Sequence, residues 1–295
     1  GLRNGPDYQS GIVYYPIDAV GPFPTIVMVP GFMRLISSIE TWGPFLASYG
    51  IVTMFVNVNW IWEFPMLRAY ALLDGIVTIE EENDRTESPL FGNLALEQIA
   101  VGGWSQGGGG ALLAASLDSS LKSVLALAPW LESEYASPEI LNIDVPVIFI
   151  SGENDEDAPN VQHTNVFFAF TPETTNKLLF EIAGGSHSTV TNPNNNVDMG
   201  LKALYWIENF VRNDPSNCDV LLEVPPSASI FATNVECQTV GDLNSDESID
   251  IFDVLLIVDL IINSSSYNGL ADFNGDDSID MLDVSTMVNF IMAGL

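Results

Sequence analysis

Basic residues are scarce: 8 Lys and Arg stand against 39 Asp and Glu in 295 residues, a formal charge of −31. A surface so acidic repels phosphate backbones and anionic headgroups, which argues against nucleic acid or a negatively charged membrane surface as partner. Divalent cations and high-salt or marine surroundings suit it better. Long apolar runs are missing too. The chain is 47% hydrophobic, enough for a sizeable core, yet no uninterrupted stretch approaches the ~20 residues of a membrane-spanning helix. No signal-like segment stands at Gly1, so the chain reads as a mature or trimmed form of an exported protein. Its length suits one large α/β domain plus a small one.

Cysteine and histidine are equally sparse, with two of each. A bond between Cys218 and Cys237 would close a loop of about 20 residues and contribute on the order of 3 kcal/mol; two buried thiols are the alternative. The Asn/Pro/Ser-rich surroundings favour the oxidised, extracellular reading. Any reaction that needs an imidazole has only His163 and His187 to choose from.

What the chain does have is alternation. Apolar runs at 11–15, 25–29, 51–56, 98–102, 123–127, 145–150 and 177–182 read as strands, and 39–49, 66–76, 108–117, 161–170 and 199–211 as helices. That order predicts a mostly parallel sheet with helices on both faces, whose strand ends carry the chemistry. The run at 98–102 leads into Gly103-Trp104-Ser105-Gln106-Gly107 and then Gly108-Gly109-Gly110. A strand turning sharply into a helix around G-x-S-x-G is the nucleophile elbow of an α/β-hydrolase, with glycines where a Cβ would collide. Ser105 is therefore the expected nucleophile.

In that fold the order is Ser, acid, His. His187, in Gly184-Gly185-Ser186-His187-Ser188 after the last expected strand, takes the base position, whereas the helical spacing around His163 makes it a surface or partly packed residue. Asp155, in the loop after strand 145–150, is the expected acid; Glu153 and Asp157 compete with it. An oxyanion needs two N–H donors, one from the residue after the nucleophile and one from the loop after an early strand. Gln106 and Phe32 fill those places.

Gly-Ile-Val-Tyr-Tyr-Pro at 11–16, Val-Pro-Gly-Phe at 29–32, Trp42-Gly43-Pro44, the elbow at 103–110, Ala128-Pro129-Trp130, Glu153-Asn154-Asp155 and Gly-Gly-Ser-His-Ser at 184–188 together resemble the bacterial cutinases and poly(ethylene terephthalate) hydrolases over about residues 11–237. The resemblance implies a secreted serine ester hydrolase with Ser105, Asp155 and His187 as triad and Phe32 and Gln106 as oxyanion amides. It further implies a cleft for an aryl or acyl group lined by Phe32, Trp104 and Trp130, for which core packing is the alternative. The departures are Phe32 for the frequent Tyr, Gln106 for Met, and Asp157 where a small aliphatic residue is usual, which makes that wall polar. Trp60-Ile61-Trp62-Glu63-Phe64-Pro65 is more aromatic than its counterpart and either extends an apolar platform or packs a loop.

Past Asn213-Asp214-Pro215-Ser216-Asn217 and Pro225-Pro226-Ser227 the composition shifts, and Asp242–Asp253 recurs 30 positions later as Asp272–Asp283. Each copy places oxygen donors at positions one, three, five, seven, nine and twelve of a calcium loop: Asp242, Asn244, Asp246, Ser248, Asp250 and Asp253, then Asp272, Asn274, Asp276, Ser278, Asp280 and Asp283. Two ions are expected. Paired loops each followed by one helix resemble a dockerin, which implies a cohesin partner. Position six, normally glycine, is Glu247 and Asp277, which would weaken affinity or strain the turn. The expected organisation is an α/β-hydrolase domain over 1–237, monomeric, and a small all-α dockerin-like module over 238–295. Ester or polyester is the expected substrate, and catalysis needs no cofactor. Acetyl, feruloyl or cutin esters of plant or algal polymers are the alternative substrates, and a non-catalytic adhesion protein on a hydrolase scaffold is the alternative class.

Overall fold

The computed structural model describes residues 5–246, 248–263, 267–276 and 278–294. They form two compact units, Gly1–Leu204 with Val224–Val235, and Tyr205–Glu223 with Glu236–Leu295. Among the described residues no helix is long and apolar enough to cross a membrane.

In the first unit eight strands form one sheet: β1 (Tyr8–Tyr14), β2 (Phe23–Val29), β3 (Val52–Val58), β4 (Leu94–Trp104), β5 (Ser123–Leu127), β6 (Val147–Gly152), β7 (Lys177–Ile182) and β8 (Ala228–Thr233), in the order β1-β3-β2-β4-β5-β6-β7-β8. The six inner strands are parallel, and β1 and β8 close the edges antiparallel. Every residue of β2, β5, β6 and β7 is buried, as parallel strands covered on both faces must be. The fold is an α/β-hydrolase.

Strand β8 is absent from the sequence reading, which takes Pro225-Pro226-Ser227 for a boundary. As an edge strand with no fully buried residue, it lacks the apolar run that marks the inner strands. Strand β4 starts at Leu94 rather than Gln98: exposed Leu96 and Glu97 interrupt its apolar pattern, and its register against β2 shifts between the Phe23–Leu94 and Thr25–Ile99 pairs.

Helices α1 (Trp42–Ala47), α2 (Pro65–Asp84), α3 (Gln106–Leu117), α4 (Thr164–Phe170) and α5 (Val197–Ile207) connect the strands. Helix α2 starts with Pro65 preset at its first position and runs past the expected end at Ile76, since Glu80–Asp84 continue it without an apolar stripe. Helix α3 carries four successive glycines directly after Gln106, each costing about 1 kcal/mol in a helix. They allow it to lie directly on strand-end backbone: a Cβ at Gly107 would fall 2.2 Å from the Val29 carbonyl oxygen, and one at Gly109 2.1 Å from that of Trp130.

The second unit contains α6 (Cys218–Leu222), α7 (Ile251–Ile262) and α8 (Met281–Gly294). Val254 and Ile257 of α7 meet Val284 and Met287 of α8 in a small core with Ala271, and Phe273 packs edge-on against Phe290. Cys218 and Cys237 are bonded, with Cα atoms 5.6 Å apart, so the disulfide joins the two chain segments of this unit.

Candidate active site

At the end of β4 the chain reverses at Ser105, whose φ of 58° and ψ of −123° lie where a residue with a Cβ is strained by about 1–3 kcal/mol. Surrounding bonds hold it there. The Ser105 N–H donates to the Leu127 carbonyl (2.9 Å), while its own carbonyl accepts from Gly109 N–H (3.0 Å) and Trp130 N–H (2.9 Å). Met33, after β2, and Ala128, after β5, also have positive φ. Three of the five non-glycine residues so strained among those described thus cluster at one edge of the sheet, where strain most often serves a function.

At the same edge β6 leads to Asp155 and β7 to His187, both buried. Asp155 Oδ2 lies 2.7 Å from His187 Nδ1, and its Oδ1 accepts the Asp157 and Ala158 N–H groups at 3.0 and 2.8 Å. A carboxylate fixed by two amides can point only one oxygen at the ring; with the Nδ1 proton on that bond, Nε2 is left as an acceptor. The loop carrying His187 is tied to the loop carrying Asp155 by Asn154 N–H to the Gly185 carbonyl (2.7 Å) and Gly184 N–H to Glu153 Oε2 (2.7 Å). From the other side Trp104 Nε1 donates to the His187 carbonyl (2.9 Å), its ring 5.2 Å from the imidazole. Of the three candidate acids, Asp155 alone bonds the imidazole; Glu153 staples the loop and Asp157 faces the cleft.

Ser105 and His187 line one open cleft of about 870 Å³. Phe32, Trp104, Gln106, Trp130 and Asp157 line it too, joined by Phe64 of the aromatic segment and by Arg34, Asn154 and Glu156, to which the sequence reading assigns no role. Trp104 is both cleft wall and core, nearly buried beneath His187. The Gln106 N–H, first in α3, has no acceptor inside its own helix, and among the described residues the Phe32 N–H donates to no backbone carbonyl.

His163 sits half-buried with its ring 5.8 Å from Trp130 and 5.7 Å from Phe167. Burial pushes its imidazole below the ordinary 6.5, with Asp155 opposing and nearby His187 assisting. Because the unfolded chain then takes up the proton first, stability should fall as pH drops below about 6.5. Urea unfolding between about pH 7.5 and 5.5 should show the gap between wild type and His163→Gln changing with pH; a constant gap would contradict the assignment.

The two acidic loops of the second unit share one bonding pattern. Asn244 Oδ1 accepts Asp246 N–H and Asp246 Oδ1 accepts Ser248 N–H, and Asn274, Asp276 and Ser278 repeat this at matching distances. Asp253 and Asp283, fully buried, each reach back to a loop amide at Asn244 or Asn274 and to the Asp250 or Asp280 N–H. Ser245 and Gly275 supply the left-handed turn at position four of each loop. Glu247 and Asp277 lie outside the described residues. Among the described residues no three Asp, Glu, His or Cys side chains converge on one point. The donor set is nevertheless wholly oxygen and anionic, and a carboxylate has about four lone-pair sites, of which the amides occupy three on Asp253 and two on Asp283. Such a set fits a hard cation.

The family described as PET hydrolase-like matches residues 3–238. The chain belongs to the PET hydrolase-like family. The dockerin type I domain family matches residues 240–292. Similar proteins include a bis(hydroxyethyl) terephthalate hydrolase of Streptomyces coelicolor, 29% identical over 233 residues that cover 78% of this chain and 71% of the relative. A cutinase of Thermobifida alba is 31% identical over 217 residues, 72% of this chain and 68% of the relative. Lipase 1 of Moraxella sp. is 29% identical over 214 residues, 70% of this chain; the match spans 62% of the lipase's own length. All three names are those of carboxylic ester hydrolases.

One side chain behind the cleft of this PET hydrolase-like unit escapes the sequence reading. Arg68 is fully buried on α2 and donates to the carbonyls of Pro30 (2.9 Å), Glu63 (3.0 Å) and Ile61 (3.3 Å). It thereby fastens the loop that carries Phe32 to the loop that carries Trp60–Phe64. Burial lowers its pKa to about 10, with nearby Glu63 opposing. Nothing in the periodicity of α2 marks it, because an inward arginine and an outward one read alike.

Proposed function

We propose that this chain hydrolyses carboxylic esters by a Ser105–His187–Asp155 triad. The reading rests above all on a buried Asp155–His187 pair opening onto the same cleft as the strained Ser105 elbow. In it, Nε2 of His187 takes the Ser105 proton as Oγ attacks the ester carbonyl, while Asp155 holds the tautomer and stabilises the imidazolium. The N–H groups of Phe32 and Gln106 take the developing oxyanion. His187 returns the proton to the leaving alcohol, and water repeats the sequence on the acyl-enzyme.

Residues 128–144, between β5 and β6, contain no helix or strand, so this connection builds no covering domain, which supports access for bulky or polymeric esters. A fluorophosphonate probe should modify one residue, Ser105, at the same rate with and without detergent micelles. Mass spectrometry finding no adduct would move the chain to the adhesion class, and strong acceleration by micelles would point to a lidded lipase. Glu156 and Asp157 make one wall polar, which favours a second substrate reading: acetyl, feruloyl or cutin esters on plant or algal polymers.

For the rest of the chain we propose a hydrolase domain to residue 237 and a calcium-binding module from 238, which engages a cohesin-type partner outside the cell. Asp242, Asn244, Asp246, Asp250 and Asp253 would hold one ion with the Ser248 carbonyl, and Asp272, Asn274, Asp276, Asp280 and Asp283 the other with that of Ser278. The ions would supply the positive charge that two crowded carboxylate loops lack.

A further inference from the structure

Between β3 and α2 the chain carries Trp60-Ile61-Trp62-Glu63-Phe64, and these aromatics do not pack a loop: Trp60 is 73% exposed and Trp62 56%. Exposed tryptophan is costly to leave in water, since each indole presents about 150–250 Å² of largely apolar surface. Side by side, such residues mark a contact surface. Here they sit on a braced support. The Ile61 carbonyl accepts from Met33 N–H (2.7 Å) and from Arg68, and the Glu63 carbonyl accepts from Arg68 as well. Glu63 Oε1 closes the loop on Trp60 N–H (3.2 Å).

The patch continues into the cleft. Trp62 meets Phe32 edge-on with centroids 5.8 Å apart, and both Phe32 and Phe64 line the cleft that holds Ser105. Met33 and Leu35, on the loop that carries Phe32, are exposed as well. Two ionisable groups stand in it: exposed Arg34, between Met33 and Leu35, and Glu63. Its one acid, Glu63, has a buried Oε2, and burial pushes that carboxyl up. On a chain of net charge −31, a cluster of exposed tryptophans selects an apolar partner over an anionic one.

From this we infer that Trp60 and Trp62 form an adsorption platform for the flat face of a water-insoluble polyester, seating one chain of the polymer so that it runs past Phe32 to Ser105. The inference rests on the esterase reading only for what happens after adsorption.

The test uses the full chain and its Trp60→Ala, Trp62→Ala and double variants, with folding checked by circular dichroism. Adsorption isotherms are taken on amorphous poly(ethylene terephthalate) film and on cellulose film, beside turnover of a soluble p-nitrophenyl butyrate. We expect the double variant to bind polyester film at least about fivefold more weakly, with kcat/KM on the soluble ester within about twofold, because contacts remote from the reacting atoms act on binding of the larger substrate. Trp60→Ala alone, at the more exposed position, should show part of the loss. Unchanged adsorption on polyester overturns the platform, as does a parent chain that prefers cellulose and loses that preference in the double variant. A parent that adsorbs through the tryptophans but cleaves no soluble ester overturns the esterase reading and leaves the platform standing.

Discussion

Ser105→Ala and His187→Ala should each lower turnover of a soluble ester by at least ~10³ while the melting temperature stays close to wild type, because groups that act as one nucleophilic unit fail together. Ser105→Ala even removes a hydroxyl from a strained turn without touching the backbone bonds that hold it. Asp155→Asn should be comparably severe, about 10⁴ by analogy with other triads, since an amide presents N–H to the ring and upsets its tautomer. Asp157→Asn should cost little. A folded Ser105→Ala or His187→Ala chain with near-normal turnover would remove the triad, and a reversed ranking of the two aspartates would move the acid to Asp157.

Calcium withdrawal should have the second large effect, confined to the acidic loops. Saturating each site at a hundredfold its dissociation constant would stabilise the module by about 2.7 kcal/mol per site, and without the ions the like-charged carboxylates repel across a few ångströms. Adding a chelator to the full chain should increase amide hydrogen exchange in α7 and α8, while hydrolysis of a soluble ester continues unchanged. Asp253→Ala with Asp283→Ala should reproduce the exchange pattern with calcium present. No calcium-dependent heat in the parent chain, or equal loss of ester hydrolysis on chelation, would count against the assignment.

What the sequence makes legible here is whatever is local. The elbow can be read because one pentapeptide has to satisfy a strand, a reversal and a helix at once, and the loops of Asp155 and His187 because each directly follows an apolar run. The repeated loops are legible because their ligand spacing is a property of the chain alone. What stays hidden is set by direction and distance. Arg68 is hidden because a helix pattern does not say which way a lone cation turns. His163, read as surface or partly packed, lies against Trp130 because α4 follows the Asp155 loop. The alternatives for Trp60–Phe64 separate only when exposure is known. Edge strand β8 is hidden because it pairs with β7, some fifty residues earlier, through hydrogen bonds rather than through an apolar run.

Cys218 and Cys237 enclose residues 219–236, which include strand β8 of the hydrolase sheet. A protease that cuts anywhere within that span leaves two fragments still held by a covalent bond, so a nicked molecule keeps its dockerin end. For a cut in that span, separating the fragments takes two chemically different events, a hydrolysis and a reduction. In an oxidising medium rich in proteases, attachment would survive a cut within residues 219–236 but not one beyond Cys237.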